Sequence, residues 1–224
     1  MTSWRTRLAE AVGAGQWLRD RRLRREHRAW ERAGRPVPPP ALFKHELLLD
    51  ISRSCPAQVF IETGTYLGDT VHALRRRFRE IHSIELDATL CDAARRRFAG
   101  VRSVTIHHGD SAAVLPELLS RLTEPAVFWL DGHFSGGVTA RGERDTPVRD
   151  ELRCILRHPI EGHVVLIDDA RLFGTDDGYP TIDEIRELVA DRRPSWTVTV
   201  EGDVIHAGQT PYPTTHSVET TRLG

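Results

Sequence analysis

Three aspartates directly follow two apolar segments that have the composition of buried strands. Asp131 follows residues 126–130, and the pair Asp168 and Asp169 follows residues 163–167. The carboxyl ends of neighbouring parallel strands lie at one edge of a sheet, so we expect these three carboxylates to converge. Carboxylates brought together repel one another, which raises their pKa values or favours a bound cation. Oxygen ligands suit a hard ion, and the sequence predicts a Mg²⁺ site here; the alternative is that each aspartate caps the loop or helix that follows it.

His133 is the predicted general base beside these carboxylates, and His133 and Asp131 are the predicted catalytic residues. The unperturbed pKa of histidine suits proton abstraction near neutral pH. A histidine that orients a carboxylate or lines the cleft is the alternative. A bound metal ion is also able to acidify an acceptor hydroxyl unaided.

Three arginines near the aspartates are candidate ligands of an acceptor. Arg141 and Arg144 lie in or beside the glycine-rich segment 131–142, and Arg171 follows Asp169 by two residues. Guanidinium groups suit a carboxylate or a phosphate on a substrate. A surface salt bridge with a nearby acid is the alternative for each arginine. The glycine-rich segment itself predicts a lid or a loop around the substrate.

A second group of candidate residues follows the first predicted strand, in the loop Glu62-Thr63-Gly64-Thr65-Tyr66-Leu67-Gly68. Gly64 permits a sharp turn and a close approach of the backbone to a ligand. Gly68 lets the next helix pack near the strand with its N-terminal amides toward the site. The spacing E-x-G-x-x-x-G differs from the dinucleotide pattern G-x-G-x-x-G. By itself the loop indicates either a ligand or an ordinary glycine turn between a strand and a helix.

Two further strand ends favour a cofactor that contains adenosine. Glu85 ends the second predicted strand, where a carboxylate is able to accept hydrogen bonds from both ribose hydroxyls. The third strand ends in Gly109, Asp110 and Ser111, a glycine followed by a helix N-cap that can face an adenine ring. A surface acid is the alternative for Glu85. Three successive strand ends with these residue types predict an adenosine cofactor.

Alternating secondary structure predicts how these residues are brought together. Short β-rich segments alternate with helical patterns after residue 41, which predicts an α/β fold with a mostly parallel sheet and helices on both faces. The predicted strands are 58–61, 81–84, 104–107, 126–130 and 163–167, and the predicted helices are 42–54, 68–79, 88–99, 111–122, 144–157 and 181–192. Two β segments around Gly202 and Asp203 predict a terminal antiparallel hairpin. Thr181 and Glu184 form a capping box that begins the last helix.

Residues 1–40 are predicted to be an Arg-rich helical extension with a Pro-rich linker, followed by a catalytic domain at 41–224. Residues 4–33 are compatible with a helix, and we expect a break or bend near Gly13-Ala14-Gly15. Ten arginines against four acids give residues 1–40 a charge of +6. Contact with phosphate-bearing partners is one hypothesis. The other is packing on the same domain or on a second copy in a homo-oligomer, through a helix that carries Trp4, Trp17 and Trp30.

Composition restricts the class of protein. With 39% hydrophobic and 28% charged residues and a net charge of −1, the chain has the composition of a folded protein with no overall attraction to nucleic acid or membranes. Lys44 is the only lysine among 31 basic residues. Three widely spaced cysteines predict a reducing compartment, and we expect the cytoplasm. Neither a membrane span nor a secretory signal is expected.

The sequence resembles the class I SAM-dependent methyltransferases. Its first loop is similar to the E-x-G-x-Y-x-G-x-S/T loop of the catechol O-methyltransferases, and Tyr66 and Thr70 both match that pattern. The resemblance spans about residues 57–207. It implies a Rossmann-like fold with a seven-stranded sheet, and Tyr66 and Thr70 near the methionine part of SAM. The residues that it places around SAM are Gly64, Tyr66, Glu85 and Asp110.

The resemblance also extends to the aspartates. Metal-dependent catechol and macrolide-sugar O-methyltransferases have an Asp after the fourth strand and an Asp-Asp or Asp-Asn pair after the fifth, which Asp131, Asp168 and Asp169 match. The catechol enzymes place a lysine general base three residues after the first aspartate, where this chain has Phe134. The resemblance implies Mg²⁺-assisted O-methylation of a small hydroxylated acceptor, such as a sugar, a polyol or a natural product. The departure at Phe134 puts the identity of the base in doubt.

Two other functions remain as alternatives at the level of sequence. A Rossmann-type oxidoreductase with NAD would also place Glu85 on a ribose, but the G-x-G-x-x-G pattern is missing. An RNA-binding or RNA-modifying protein would use the Arg-rich extension. The charge of −7 on residues 41–224 and the lack of alternating aromatic and basic residues on a strand disfavour a nucleic-acid partner.

Overall fold

One sheet contains all the strands of the described part of the chain, which in this computed structural model comprises residues 4–132, 147–175 and 178–209, with side chains from residue 15 onward. The strands are β1 (Val59–Thr63), β2 (Glu80–Glu85), β3 (Val104–His108), β4 (Ala126–Leu130), β5 (Val164–Ile167), β6 (Thr197–Glu201) and β7 (Val204–Gly208). Their order is β3-β2-β1-β4-β5-β7-β6. Strands β1 to β5 are parallel, and β7 runs antiparallel to β5 and β6. The predicted mostly parallel sheet with a terminal hairpin is confirmed.

Helices cover both faces of the sheet, as predicted. They are α1 (Trp4–Arg32), α2 (Ala41–Ser54), α3 (Asp69–Leu74), α4 (Ala88–Phe98), α5 (Ser111–Arg121), α6 (Val148–Arg157) and α7 (Ile182–Arg192), with a 3₁₀ turn at Ala170–Leu172. Alternate residues of a strand point to opposite faces. In β4, Phe128 packs with α5, α6 and α7, whereas Trp129 packs with α2, α3 and α4. Burial on both faces explains why β1, β4 and β5 are apolar nearly throughout.

Local signals fix several element ends. The capping box at Thr181 and Glu184 is present, with each residue bonded to the backbone N–H of the other. Gly202 and Asp203 have φ values of 56° and 65°, so both central residues of the β6–β7 turn are left-handed, as a two-residue hairpin turn requires.

Of the break or bend predicted near Gly13-Ala14-Gly15, the break is wrong, because α1 runs without interruption from Trp4 to Arg32; the bend stays a prediction. A glycine inside a helix costs about 1 kcal/mol relative to alanine, which weakens a long helix without breaking it. Helix α1 lies against α2, where the rings of Trp30 and Phe43 are 5.1 Å apart. No helix among the described residues is both long enough and apolar enough to cross a bilayer.

Helix α3 is shorter than the predicted segment 68–79, because tertiary contacts take the chain out of the helical path. Arg77 donates hydrogen bonds to backbone carbonyls at the end of α2. Phe78 packs on Phe60 of β1, with ring centroids 5.2 Å apart. Helix α6 begins at Val148, and residues 144–146 of the helix predicted at 144–157 lie outside the described residues.

Candidate functional site

The carboxyl ends of the central strands continue the sheet by backbone hydrogen bonds, so the predicted site residues lie along one edge. The N–H of Gly64 donates to the carbonyl of Ile84 at 2.9 Å. The N–H of Asp131 donates to Thr63, and that of Asp168 donates to Leu130, each at 3.0 Å. The strand order reverses between β1 and β4, where ligand crevices form in open α/β sheets.

The loop after β1 is shaped by the neighbours that it touches. Gly64 has φ 90°, and a Cβ atom there would lie 2.4 Å from the carbonyl oxygen of Asp131. Gly68 has φ 73°, and a Cβ atom there would lie 2.8 Å from the ring of Phe98 in α4. Both glycines are therefore required by packing against β4 and α4, a reason that the ligand-based prediction did not contain.

Glu85 presents a fixed carboxylate at the end of β2. Its side chain is almost fully buried, its Oε2 accepts the N–H of Tyr66 at 2.7 Å, and its Oε1 accepts the N–H of Asp87 at 2.9 Å. Each carboxylate oxygen has a second lone pair. The geometry leaves the carboxylate able to accept two more hydrogen bonds, as a pair of neighbouring hydroxyls would supply.

The end of β3 begins α5 in the way that the sequence predicts. The carboxylate of Asp110 accepts the N–H of Ala112 at 2.9 Å and caps the helix. Gly109 continues the sheet edge, because its N–H donates to the carbonyl of Glu85 at 2.9 Å. Ser111 is buried.

Two buried carboxyl groups lie beneath the loop. Burial raises the pKa of Glu62 to about 8, against the hydrogen bonds of Ser83 and Thr70. Thr70 therefore contacts Glu62 inside the protein. Burial likewise raises the pKa of Glu151 to about 7, against the hydroxyls of Ser111 and Thr63.

Sequence reasoning missed Glu151, although its spacing carried a signal. It stands three residues after Val148 and one before Leu152, on the apolar face of an amphipathic helix. A carboxyl group at such a position must be buried. In the fold that position faces the strand ends.

The acidic end of the site contains a residue that the sequence did not place there. The ammonium nitrogen of Lys44, in the first turn of α2, lies 2.6 Å from a carboxylate oxygen of Asp168 and 3.2 Å from Oδ1 of Asp169. Asp168 also accepts the N–H of Asp169 at 2.7 Å. The only signal in the sequence was that this chain uses arginine everywhere except at Lys44. Nothing local to Lys44 predicts its partners.

Arg171 is also paired within this group. Its Nη1 lies 2.8 Å from Oδ1 of Asp169 and donates as well to Asp203. Asp203 is in the β6–β7 turn, and its other oxygen accepts the backbone N–H of Arg171 at 2.8 Å. The guanidinium that the sequence assigned to an acceptor is therefore engaged by two carboxylates of the protein.

The ionisable side chains of this group change one another's pKa values. Burial raises the pKa of Asp131 well above its usual range, and Asp168 adds to the rise. Burial raises the pKa of Asp168 to about 6, although Lys44 opposes it. Burial opposes the ionisation of Asp169 too, but Lys44 and Arg171 together hold its pKa below the ordinary value. Burial acts to lower the pKa of Lys44, and the two aspartates outweigh it and raise that pKa.

The arrangement of these side chains does not fit the predicted Mg²⁺ site. Mg²⁺ requires six oxygens at about 2.0–2.1 Å in near-octahedral arrangement. The ammonium of Lys44 already lies between the carboxylates of Asp168 and Asp169, at hydrogen-bond distance from both. Across the described ranges, no three carboxylate, imidazole or thiol groups form a set able to hold a metal ion. The residues that the structure describes therefore do not fit a resident magnesium ion.

Three predicted residues, His133, Arg141 and Arg144, lie outside the described residues. The predicted cofactor residues are distributed over three adjacent strand ends, at the loop after β1, at Glu85 and at Gly109 to Ser111. The three aspartates lie at the next two strand ends, with Lys44 among them.

Comparison with known proteins identifies the fold. No protein-family model matches the chain, and no curated protein matches it in sequence. Among solved structures, the chain is similar to the O-methyltransferase TomG from Streptomyces achromogenes, involved in tomaymycin synthesis, in complex with SAM. The two are 22% identical over 83% of this chain and 87% of that chain, with a TM-score of 0.55.

Two further structures have the same architecture. An O-methyltransferase from Bacillus cereus in complex with SAH is 18% identical over 83% of this chain and 89% of that chain, with a TM-score of 0.53. The SAH-bound methyltransferase PaMTH1 from Podospora anserina is 17% identical over 74% of this chain and 76% of that chain, with a TM-score of 0.51. With the strand order and the antiparallel terminal hairpin, these likenesses show that the chain has the class I SAM-dependent methyltransferase fold.

Proposed function

We propose that this chain is a SAM-dependent methyltransferase that methylates a hydroxyl oxygen of a small acceptor. The observation that carries the proposal is the carboxylate of Glu85. It is buried at the end of β2 and oriented by two backbone N–H groups beside the glycine loop. A carboxylate at this strand end is suited to accept ribose hydroxyls, and the fold that the chain shares with SAM-bound TomG supports SAM as the cofactor.

The cofactor site that we propose consists of three adjacent strand ends. Glu85 accepts the ribose hydroxyls, and the segment Gly109, Asp110 and Ser111 lines the adenine. Gly64, Tyr66 and Gly68 form the wall near the methionine part. Glu62 and Thr70 support that wall from beneath through their mutual hydrogen bond.

The chemistry that we propose at the acidic end needs a base and a fixed acceptor. SAM, when bound, supplies a methyl group activated by its sulfonium. Asp131 is the candidate base among the described residues, because it lies at the end of β4 beside Asp168 and its ionised form is able to accept a hydroxyl proton. His133 remains the alternative base. Positioning of the acceptor and local electrostatics supply the rest of the rate.

The acceptor remains defined only by class. We keep Arg141 and Arg144 as candidate acceptor ligands, whereas Arg171 already holds Asp169 and Asp203. Mg²⁺ is left out of the proposal, since Lys44 lies where it would bind. The free thiols of Cys55, Cys91 and Cys154 support the cytoplasm as the compartment.

Two hypotheses about the partner of α1 were left open, RNA and a second copy of the chain. Arg19 and Arg22 of α1 each lie 3.7 Å from the carboxylate of Asp69, so both guanidinium groups contact the rest of the chain, which disfavours RNA as their partner. Trp17 is 58% exposed on the same helix. That exposure supports contact through α1 in a homo-oligomer.

Calorimetry with SAM, SAH and NAD tests the cofactor. We expect SAM and SAH to bind and NAD not to bind. Glu85→Gln removes the charge that holds the ribose and should weaken SAM binding about tenfold or more. Glu117→Gln, at an exposed position of α5, is the matched control and should bind as the wild type does. Binding of NAD, or an unchanged affinity in Glu85→Gln, would overturn the assignment.

Transfer of label from SAM to a panel of hydroxylated acceptors then tests the reaction. We expect label on oxygen, and equal rates with and without a chelator of divalent ions. Label on nitrogen or carbon would contradict O-methylation without affecting the cofactor assignment.

A further inference from the structure

Lys44 is held in the acidic group by its helix. Phe43, Leu47, Leu48 and Ile51 anchor α2 in the core, and each is buried. A Cβ atom on Gly202 would lie 2.5 Å from the ring of Phe43, so the β6–β7 turn packs closely on the start of α2. The side chain of Lys44 is only 14% exposed. The packing of α2 and of the β6–β7 turn at the sheet edge therefore sets the position of the ammonium.

The charge balance of the group depends on this ammonium. Asp168 and Asp169 lie at neighbouring positions with Asp131 at the adjacent strand end, and each acts on the pKa of another. Arg171 is shared between Asp169 and Asp203. Among the described side chains, Lys44 is the only cation that contacts Asp168. Without it, Asp168 would be a buried carboxylate next to two others with no cation in contact, an arrangement that strongly destabilises a folded protein.

The position of the ammonium is the position of a bridging cation. It contacts the carboxylates of both Asp168 and Asp169, at 2.6 Å and 3.2 Å. A divalent ion between the same oxygens would meet the ammonium at a distance where two like charges repel strongly. A tethered ammonium also needs no free ion from solution. The two cations are alternatives for one place.

We infer that Lys44 is the resident cation of this site: its ammonium takes the place of a divalent ion between Asp168 and Asp169 and prevents such an ion from binding. The inference concerns cation binding and does not rest on the proposed methyl transfer. It explains in one step why three carboxylates converge and why they do not form a metal site. It also defines a variant in which the carboxylates are freed.

Titration with Mn²⁺, followed by electron paramagnetic resonance, tests the inference on the full chain. We expect no site-bound Mn²⁺ in the wild type at millimolar concentration. Lys44→Met keeps an unbranched side chain, one atom shorter, and removes the charge, and should bind Mn²⁺ at least about tenfold more tightly. Mn²⁺ should raise the melting temperature of Lys44→Met and leave that of the wild type unchanged.

Three further variants make the result specific. Lys44→Arg retains a cation and should not bind Mn²⁺. Lys44→Met combined with Asp168→Asn should lose the gained affinity. Arg79→Met, which removes a surface cation that pairs with Glu124, should behave as the wild type.

Two results would overturn the inference. One is tight binding of Mn²⁺ by the wild type, which is measured without any variant and therefore does not depend on how the variants fold. The other is a folded Lys44→Met that gains no affinity. If Lys44→Met does not fold, Lys44→Gln, which keeps a hydrogen-bond donor, takes its place with the same expected gain. Failure of SAM binding would leave all of these outcomes interpretable, because none of them uses the cofactor.

Discussion

Carboxyl groups in this protein differ in character according to their surroundings. Burial raises the pKa of Glu62 to about 8 and that of Glu151 to about 7, so at neutral pH Glu62 is mostly protonated and Glu151 is divided between its two forms. Glu85, nearly as buried, accepts two backbone N–H groups and is suited to bind hydroxyls. Asp169 is kept ionised by Lys44 and Arg171. Environment and not residue type therefore assigns their roles.

Glu62 should make stability depend on pH. Its folded pKa of about 8 lies above the ordinary value of 4.5, so its contribution is fully present below pH 4.5 and is lost as pH rises toward 8. We expect Glu62→Gln to remove a slope of about 1.4 kcal/mol per pH unit from the free energy of unfolding in that window. Urea denaturation at intervals between pH 5 and pH 8 measures it.

The control for this measurement is Glu124→Gln, which changes a carboxyl group at a partly exposed loop position and should leave the slope in place. An unchanged slope in Glu62→Gln would mean that Glu62 is ionised in the folded protein.

At the scale of elements, α4 and α1 support the cofactor loop from behind. Arg97 of α4 donates to the carbonyl of Leu67, to Asp69 at 2.8 Å and to the side chain of Gln16 in α1 at 2.7 Å. One guanidinium thus joins the loop to two helices. The extension that the sequence separates from the catalytic domain at residue 40 therefore contacts Arg97 and Asp69, the residue that follows the proposed cofactor wall.

Removal of this link should loosen the loop. We expect Arg97→Met to raise the dissociation constant for SAM about tenfold. The carbonyl of Leu67 and the carboxylate of Asp69, on either side of Gly68, would both lose the guanidinium that donates hydrogen bonds to them. Calorimetry gives the constant. Arg96→Met, on the exposed face of the same helix, is the control. Equal affinity in both variants would show that the loop is held by packing of Gly68 on Phe98 alone.

Across the whole molecule, the two ends of the sheet differ in function: one contains the proposed site, and the other contains contacts that hold the fold together. The carboxyl ends of β1 to β5 contain the proposed site. The opposite end contains two buried imidazoles in contact, in which His163 accepts the N–H of Ala126 at 3.0 Å and contacts His158 at 2.8 Å. His158 in turn contacts the carbonyl of Leu119 at 2.9 Å. These contacts join β4, α5 and the segment before β5.

Acid should destabilise the protein through protonation of His163 at this end of the sheet. Burial lowers the pKa of His163 to about 4 from 6.5, so its contribution to stability is present above pH 6.5 and is lost as pH falls toward 4. We expect His163→Gln to make the free energy of unfolding less dependent on pH in that window, by about 1.4 kcal/mol per pH unit. Thermal unfolding between pH 4 and pH 7 tests it. His108→Gln, at an exposed position of β3, should retain the wild-type slope.

The features that depend on short spacings follow from the amino-acid sequence alone. Alternation of β-rich and helical segments predicted the sheet, and the Gly202-Asp203 pair predicted the hairpin turn that β6 and β7 form. Parallel strands end at one edge, so the pattern predicts that the candidate residues after β1 to β5 lie at that edge. These signals are local, because turns, caps and periodicity are set by residues close in the chain.

The contacts of the candidate residues depend on how distant parts of the chain pack together. Lys44 and Asp168 are 124 positions apart, and Arg171 and Asp203 are 32 positions apart. Their pairing follows from how α2 and the β6–β7 turn pack over the sheet edge, which no local pattern encodes. Because a buried charge must find a partner wherever packing puts one, the acidic end became a lysine-neutralised group and not the metal site that its residue types predict.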